Sequence, residues 1–173
     1  VIEDDKACRF VLEQVSPSSF DIKMRIIRTL AYLSAKGLAK VVPYMPGPGE
    51  APIQRHEKGC WQLVPFCEGI PLDRNAYLHE PWRAEALAKF LIDLREKARG
   101  IPFFGREEVF SITKYILVLA AQVQRREPEV SRPLGEVVAF LERGFMPVHD
   151  TLPAAFCHGD FHPLNIIWAR DDI

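Results

Sequence analysis

The residues best suited to chemistry lie near the end of the chain, in the string FCHGDFHPLNIIW. It contains a carboxylate, Asp160, and an amide, Asn165, separated by four residues. A carboxylate can accept the proton of an attacking hydroxyl, and a neutral amide oxygen suits a hard cation such as Mg²⁺. Since Gly159 and Pro163 disfavour regular structure, we expect a loop that holds both side chains between apolar flanks.

The spacing of Asp160 and Asn165 matches the protein-kinase catalytic loop, in which the aspartate is the base and the asparagine binds magnesium. A bare D-x-x-x-x-N pattern is weak, because a turn rich in Asp and Asn satisfies its own backbone in the same way. A different interpretation uses the alternation His158-x-Asp160-x-His162, which is acceptable to zinc, although no further cluster of ligands in the sequence completes such a site. The residues alone therefore leave phosphoryl transfer, a zinc hydrolase and a structural turn open.

Composition limits the classes of partner. The chain has 173 residues, 48% of them hydrophobic, and 22 basic against 23 acidic side chains, which fits one globular domain or two small lobes. This balance gives no general attraction to nucleic acid or to an anionic membrane. No apolar run approaches the roughly 18 residues of a membrane span, and the opening VIEDDKACRF lacks the regions of a signal peptide. We predict a cytoplasmic protein without nucleic-acid or membrane partners, and leave its oligomeric state open.

The four cysteines are scattered, with no C-x-x-C pair, and each has apolar or aromatic neighbours. This distribution favours buried, reduced thiols over a disulfide or a metal site.

The first part of the chain predicts strands around one helix. CRFVLEQV has the composition of a strand, an apolar series at helical spacing predicts a helix that ends at Gly37, and Glu57-Lys58-Gly59 predicts a hairpin turn into the strand CWQLVPF. The helical series is Ile22, Ile26, Ile27, Leu30 and Leu33.

The rest of the chain predicts helices and then two short strands around the polar loop. One helix begins at Pro81 and ends at Gly100 with Pro102, and another has Ser131 as its cap with Pro133 early in the helix. Strands are expected over residues 152–157 and 166–169. The apolar stripes of the three helices are Ala84, Leu87, Leu91 and Leu94; Val109, Ile112, Ile116, Leu119 and Val123; and Leu134, Val137, Val138, Leu141 and Phe145.

The complete string H-G-D-x-H-P-x-N resembles the aminoglycoside phosphotransferase and choline kinase family of small-molecule kinases. WQLVPFCEGIPLD is similar to the family's last N-lobe strand and hinge, and RFVLEQVSPSSF to the strand that normally carries the nucleotide lysine. Together with PVHDTLPAAFCHGDFHPLN, these segments are most similar to sugar-kinase-like members such as N-acetylhexosamine 1-kinases. The resemblance implies a fragment of an α+β, protein-kinase-like two-lobed fold. Residues 1–66 would be a partial N-lobe ending at the hinge, and residues 67–173 a partial, mainly helical C-lobe.

The same resemblance implies an activity. The protein would use ATP and Mg²⁺ to move the γ-phosphoryl group to a hydroxyl of a small molecule, a sugar or amino-sugar. Asp160 would be the catalytic base, Asn165 a magnesium ligand, and His158 the residue that orients the loop.

At the implied hinge, Val64 would border the adenine. The Pro65 carbonyl would accept from the adenine amino group, and the Cys67 backbone N–H would donate to the ring. Proline suits the accepting position because only its carbonyl is used.

Several features depart from the family pattern. Glu13 stands where the family usually has the nucleotide lysine, and the following helix, DIKMRIIRTLAYL, has no glutamate to pair with such a lysine. The chain begins too late to include a complete glycine-rich phosphate loop. It also ends before the expected second magnesium ligand, and Asp171 and Asp172 are poor substitutes because a turn is predicted there. We therefore expect the fragment alone to be inactive, and a non-catalytic nucleotide-binding module remains an alternative.

Overall fold

The structure, a computed structural model, describes residues 1–73, 75, 77–101, 109–170 and 172–173. The chain divides into two units, Val1–Phe103 with Phe156–Ile173, and Phe104–Ala155. The predicted lobe boundary after residue 66 falls inside the first unit, and the division into lobes stays a prediction.

The first unit is built on a four-stranded antiparallel sheet with the strand order β1-β2-β4-β3. The predicted hairpin is confirmed, since His56 pairs with Gly59 and only Glu57 and Lys58 lie between the two strands. Glu57 takes up the left-handed turn conformation, with φ at 50°. The strands are β1 (Ile2–Glu3), β2 (Arg9–Val15), β3 (Ile53–His56) and β4 (Gly59–Pro65).

Helix α1 (Phe20–Ala35) packs on one face of this sheet, where Ile27 contacts Val15 and Ile53 in a buried cluster. The helix stops where predicted, because Gly37 adopts a φ of 81° that other residues disfavour. The apolar stripe is only partly buried, since Ile27 and Leu33 are enclosed while Ile22 is 53% exposed.

Helix α2 (Pro81–Lys97) begins at the predicted proline but buries a different face. Ala86, Phe90 and Leu94 are buried, whereas Ala84 and Leu91 of the predicted stripe are exposed. Phe90 is the largest apolar side chain of the buried face, and it packs with Leu33 and Leu38 in one buried cluster. The buried face of α2 is therefore shifted around the helix axis by about one residue from the predicted aliphatic stripe. Pro102 lies outside the described residues.

The second unit contains α3 (Ile112–Arg126), α4 (Pro128–Gly144) and α5 (Met146–His149). Helix α3 begins after Val109, with Ser111 as its cap. The predicted cap at Ser131 is wrong, because α4 starts at Pro128 and carries Pro133 inside it. Proline is well tolerated at a first helical position, so the earlier proline begins the helix. None of the helices in the described part of the chain is long and apolar enough to cross a membrane.

The two strands predicted around the polar loop are wrong. Residues 152–157 have no regular structure, and residues 166–169 form a single antiparallel backbone bridge, between Trp168 and Ile70. A strand needs a partner along its length, and the segment around Ile70 pairs with one residue only.

None of the four cysteines, all of which the structure describes, forms a disulfide. Cys60 and Cys67 are half-buried, but Cys8 and Cys157 are exposed. The prediction that all of them are buried is therefore wrong, and the prediction that they are reduced stays a prediction.

Candidate active site

The polar loop is held in place by its apolar residues. Gly159 permits the sharp entry into the loop, with φ at 87°. Phe161 stacks on Phe90 of α2, with ring centroids 5.3 Å apart, and the His158 ring lies edge-on to Phe161 at 5.4 Å. The loop is thus fixed through Phe161, which leaves Asp160 at its surface with 75% of its side chain exposed.

Asp160 and Asn165 are in direct contact. The Asn165 side-chain amide donates to Asp160 Oδ2 at 2.7 Å and to the Asp160 backbone carbonyl at 3.0 Å. Asn165 ends a 3₁₀ turn, Pro163–Asn165, and its own backbone N–H donates to the His162 carbonyl at 2.9 Å. The five-residue spacing therefore brings together the two side chains that the sequence singled out.

The two histidines of the loop serve its backbone. His158 Nδ1 accepts from the Asp160 N–H at 3.4 Å, a contact that fits the predicted orienting role. His162, which the sequence left without a role, caps the 3₁₀ turn by accepting from the Leu164 N–H at 3.2 Å, and its Nε2 lies 3.4 Å from Asp160 Oδ1. Within the described ranges no group of three or more His, Cys, Asp or Glu could hold a metal ion, so the zinc interpretation finds no support there.

Trp168 is a site residue that sequence reasoning missed. It is 2% exposed, and its indole N–H donates to the Pro163 carbonyl at 2.9 Å. Its ring meets Trp82 edge-on at 5.6 Å, and the Arg83 guanidinium lies 4.5 Å from its centroid. This buried side chain fixes the end of the loop that carries Asn165. A tryptophan after two apolar residues is typical of an ordinary core position, so the sequence did not indicate that Trp168 supports the site.

The residues assigned to the hinge lie where β4 ends. Val64 pairs with Val11 of β2, and Pro65 is the last residue of the strand. Cys67 follows, with its Sγ 4.0 Å from the Pro65 carbonyl. Adenine contacts by these residues stay predictions.

The segment after β4 contacts the residues that follow the polar loop directly. The Ile70 N–H donates to the Trp168 carbonyl at 2.7 Å. Gly69 makes this approach possible, because a Cβ there would lie 2.7 Å from Ile167 Cγ2 and 3.2 Å from the Trp168 carbonyl oxygen. The chain after β4 and the chain after the polar loop are therefore joined by a backbone hydrogen bond.

Glu13 forms an ion pair with Lys23 of α1, at 2.5 Å between Oε1 and Nζ. Gln62, directly opposite on β4, donates to the other carboxylate oxygen at 2.5 Å. Burial raises the pKa of Glu13, but the hydrogen bonds from Lys23 and Gln62 and the charge of Lys23 outweigh it, so the pKa lies below its ordinary value. The sequence indicated that both halves of the usual lysine–glutamate pair are absent, and the structure shows an ion pair with the two charges exchanged between strand and helix.

Asp172 is paired with Lys40, and the Ala169 N–H donates to the Asp172 carbonyl at 2.8 Å. The hydrogen bond from Lys40, with one from the Ile173 backbone, holds the pKa of Asp172 below its usual value. Asp171 lies outside the described residues.

Comparisons with known proteins fit this arrangement. A model of the phosphotransferase enzyme family matches residues 1–173. A search of curated protein sequences found no match. The crystal structure of an aminoglycoside phosphotransferase from Alicyclobacillus acidocaldarius subsp. acidocaldarius DSM 446 is similar, with a TM-score of 0.58, 16% identity and coverage of 98% of this chain. The match covers 56% of that protein, so the chain spans about half of its length. The predicted α+β, kinase-like fold is confirmed by this likeness. The chain belongs to the phosphotransferase enzyme family.

Proposed function

We propose that the protein transfers the γ-phosphoryl group of ATP to a hydroxyl of a small molecule, a sugar or amino-sugar, with Mg²⁺ as the required ion. The observation that carries this proposal is the contact of Asp160 with Asn165 on an exposed loop, at 2.7 Å. The family match supports the reaction class.

Asp160 is the catalytic base in this proposal. Asn165 occupies one position on its carboxylate, and the exposed remainder can accept a hydrogen bond from a substrate hydroxyl. The hydroxyl oxygen bonds to the γ-phosphorus as Asp160 takes its proton, and the bond from that phosphorus to the bridging oxygen breaks to release ADP. Most of the acceleration comes from positioning, which the Phe161 and Trp168 contacts provide.

The donor set of the loop fits a hard divalent cation. Because the Asn165 NH₂ group is directed at Asp160, its Oδ1 is left as a neutral oxygen ligand, with no donor to it among the described residues. Oxygen atoms are the ligand type that Mg²⁺ prefers, so Asn165 can hold the ion together with the nucleotide phosphates. When bound, the ion would neutralise charge on the phosphates.

The nucleotide base is placed at the end of β4. The Pro65 carbonyl and the Cys67 N–H supply an acceptor and a donor two residues apart, and Val64 offers an apolar surface. The backbone bridge between Ile70 and Trp168 supports this placement, because it keeps the segment after β4 next to the loop that carries Asp160. The sugar or amino-sugar acceptor rests on the sequence resemblance.

The test is phosphoryl transfer by the whole protein carrying Asp160→Ala. Turnover with a panel of sugars and amino-sugars should fall by about 10²–10⁴-fold, because the base is lost, while ATP affinity changes by less than about threefold. Asp93→Ala, at an exposed position on α2, is the matched control and should retain activity.

Three results would count against the proposal. Wild-type protein that binds ATP but phosphorylates no acceptor would favour a non-catalytic binding module. Zinc retained after dialysis would favour a metallohydrolase. Full activity of the Asp160→Ala protein would remove the base from the mechanism.

A further inference from the structure

The ion pair of Glu13 and Lys23 lies on the sheet face that α1 covers. Directly opposite residues of antiparallel strands share a face, so Glu13 and Gln62 lie side by side, with Val15 and Cys60 on one side of them and Val11 and Val64 on the other. Val15 and Cys60 belong to the cluster under α1. On this face, Glu13 and Gln62 therefore lie between the apolar cluster under α1 and the end of β4 that we propose binds adenine.

The cluster of Glu13, Lys23 and Gln62 contains a buried polar atom without a hydrogen-bond partner among the described residues. Gln62 is 2% exposed and donates its amide to Glu13, yet its Oε1 has no hydrogen-bond partner in the part of the chain that the structure describes. A buried amide oxygen without a donor is uncommon, so this polar cluster is incomplete as it stands. Lys23 keeps 23% of its side chain exposed, and its ammonium group has three N–H donors, of which Glu13 occupies one.

In protein kinases a strand lysine, held by a helix glutamate, binds the α- and β-phosphates. The strand residue here is an acid, which alone would repel a triphosphate. Arg9 lies on the same sheet face, past Val11, but its guanidinium is already paired with Glu68 at 2.9 Å.

We propose that Lys23 of α1, oriented by Glu13 and Gln62, is the cation that binds the nucleotide phosphates, so that this protein takes its phosphate-binding lysine from the helix and its orienting carboxylate from the strand. The inference rests on the proposed function, because it needs a bound nucleoside triphosphate. It assigns Glu13 and Gln62 as positioning residues: Glu13 contacts Lys23 directly, and Gln62 holds the Glu13 carboxylate, which leaves the other N–H groups of Lys23 for phosphate.

The experiment compares the binding of MgATP, MgADP and adenosine to the whole protein by calorimetry. Lys23→Met keeps the apolar stem and removes the charge, and should weaken MgATP and MgADP by about 10- to 100-fold, the range for one lost charge-assisted hydrogen bond. Adenosine, which has no phosphate, should bind within about twofold of wild type. Lys36→Met, at the C-terminal cap of the same helix, is the control and should leave all three affinities unchanged.

A charge exchange tests the orientation of the pair. Glu13→Lys alone sets two cations against each other, whereas Glu13→Lys combined with Lys23→Glu restores an ion pair and should recover most of the MgATP affinity that Lys23→Met loses. This double variant also covers the case in which Lys23→Met fails to fold.

The outcomes separate the two proposals. Wild-type protein that binds no MgATP overturns the proposed function and this inference together. Wild-type protein that binds MgATP, with Lys23→Met either without effect or weakening adenosine equally, overturns the assignment of Lys23 alone.

Discussion

Replacing Trp168 with Phe should loosen the polar loop that carries Asp160 and Asn165, while keeping most of the apolar contacts of residue 168. The change removes the indole N–H that donates to the Pro163 carbonyl at 2.9 Å, which costs about 1 kcal/mol of unfolding free energy. The smaller ring also weakens the contact with the Arg83 guanidinium, now 4.5 Å from the ring centroid, and leaves a small void, for about 1 kcal/mol more. Since Trp168 is 2% exposed, both effects apply without solvent screening, and the sum is about 2 kcal/mol.

If the loop binds Mg²⁺ as proposed, the same change should weaken that binding. The Pro163 carbonyl belongs to the 3₁₀ turn that presents Asn165, so a loss of about 1 kcal/mol in ordering this turn raises the Mg²⁺ concentration for half-maximal turnover about fivefold. Urea denaturation measures the first effect, and a Mg²⁺ titration of the whole protein's phosphoryl-transfer activity measures the second. Trp82→Phe is the matched control, because Trp82 contacts the same Arg83 guanidinium, at 4.2 Å to its centroid, and the same Trp168 ring. It should lose stability without a shift in Mg²⁺ dependence. Equal shifts for both variants, or none for Trp168→Phe, would refute the role given to the indole hydrogen bond.

Two further variants test the packing and the ion pair. Gly69→Ala should lower the unfolding free energy by about 1–3 kcal/mol, because its Cβ would meet Ile167 and the Trp168 carbonyl, whereas Gly135→Ala in α4, with open space around it, should be neutral or stabilising in the same urea titration. A Gly69→Ala protein as stable as wild type would contradict the close approach. The pKa of Glu13 is lowered in the folded protein, so its ionised form contributes stability above the pKa of the unfolded state, and the contribution disappears as the pH falls through the lowered folded-state value. The stability difference between wild type and Glu13→Gln should therefore shrink in acid, and a difference that stays constant down to pH 3 would exclude a titrating carboxylate as its source.

Local patterns predicted the parts of the fold that depend on neighbours in sequence. The β3–β4 hairpin follows from its turn residues, and the end of α1 follows from Gly37, which needs a positive φ. The buried face of α2 did not follow from its aliphatic spacing, because the partner of Phe90 comes from residues distant in sequence. The prediction of strands on both sides of the polar loop was wrong for the same reason, because a strand forms only where a partner lies alongside it.

The candidate site shows the same limit. The contact of Asp160 with Asn165 could be anticipated, because both residues lie within one short loop. The contact between Glu13 and Lys23 could not, because it depends on how α1 is rotated against the sheet. The role of Trp168 could not be predicted either, because a tryptophan that fixes a loop and one that only fills a core occur in the same sequence pattern.

The backbone bridge between Ile70 and Trp168 also holds the far end of the short segment that follows β4. The near end of this segment is held to the sheet, because the Phe66 N–H donates to the Arg9 carbonyl at 3.0 Å and the Arg9 guanidinium pairs with Glu68 at 2.9 Å. The sheet side and the polar loop also meet at a second place, where Phe161 packs against the buried cluster that contains Leu33 of α1. A substitution within residues 66–69 should therefore disturb the sheet and the polar loop together, rather than release one from the other.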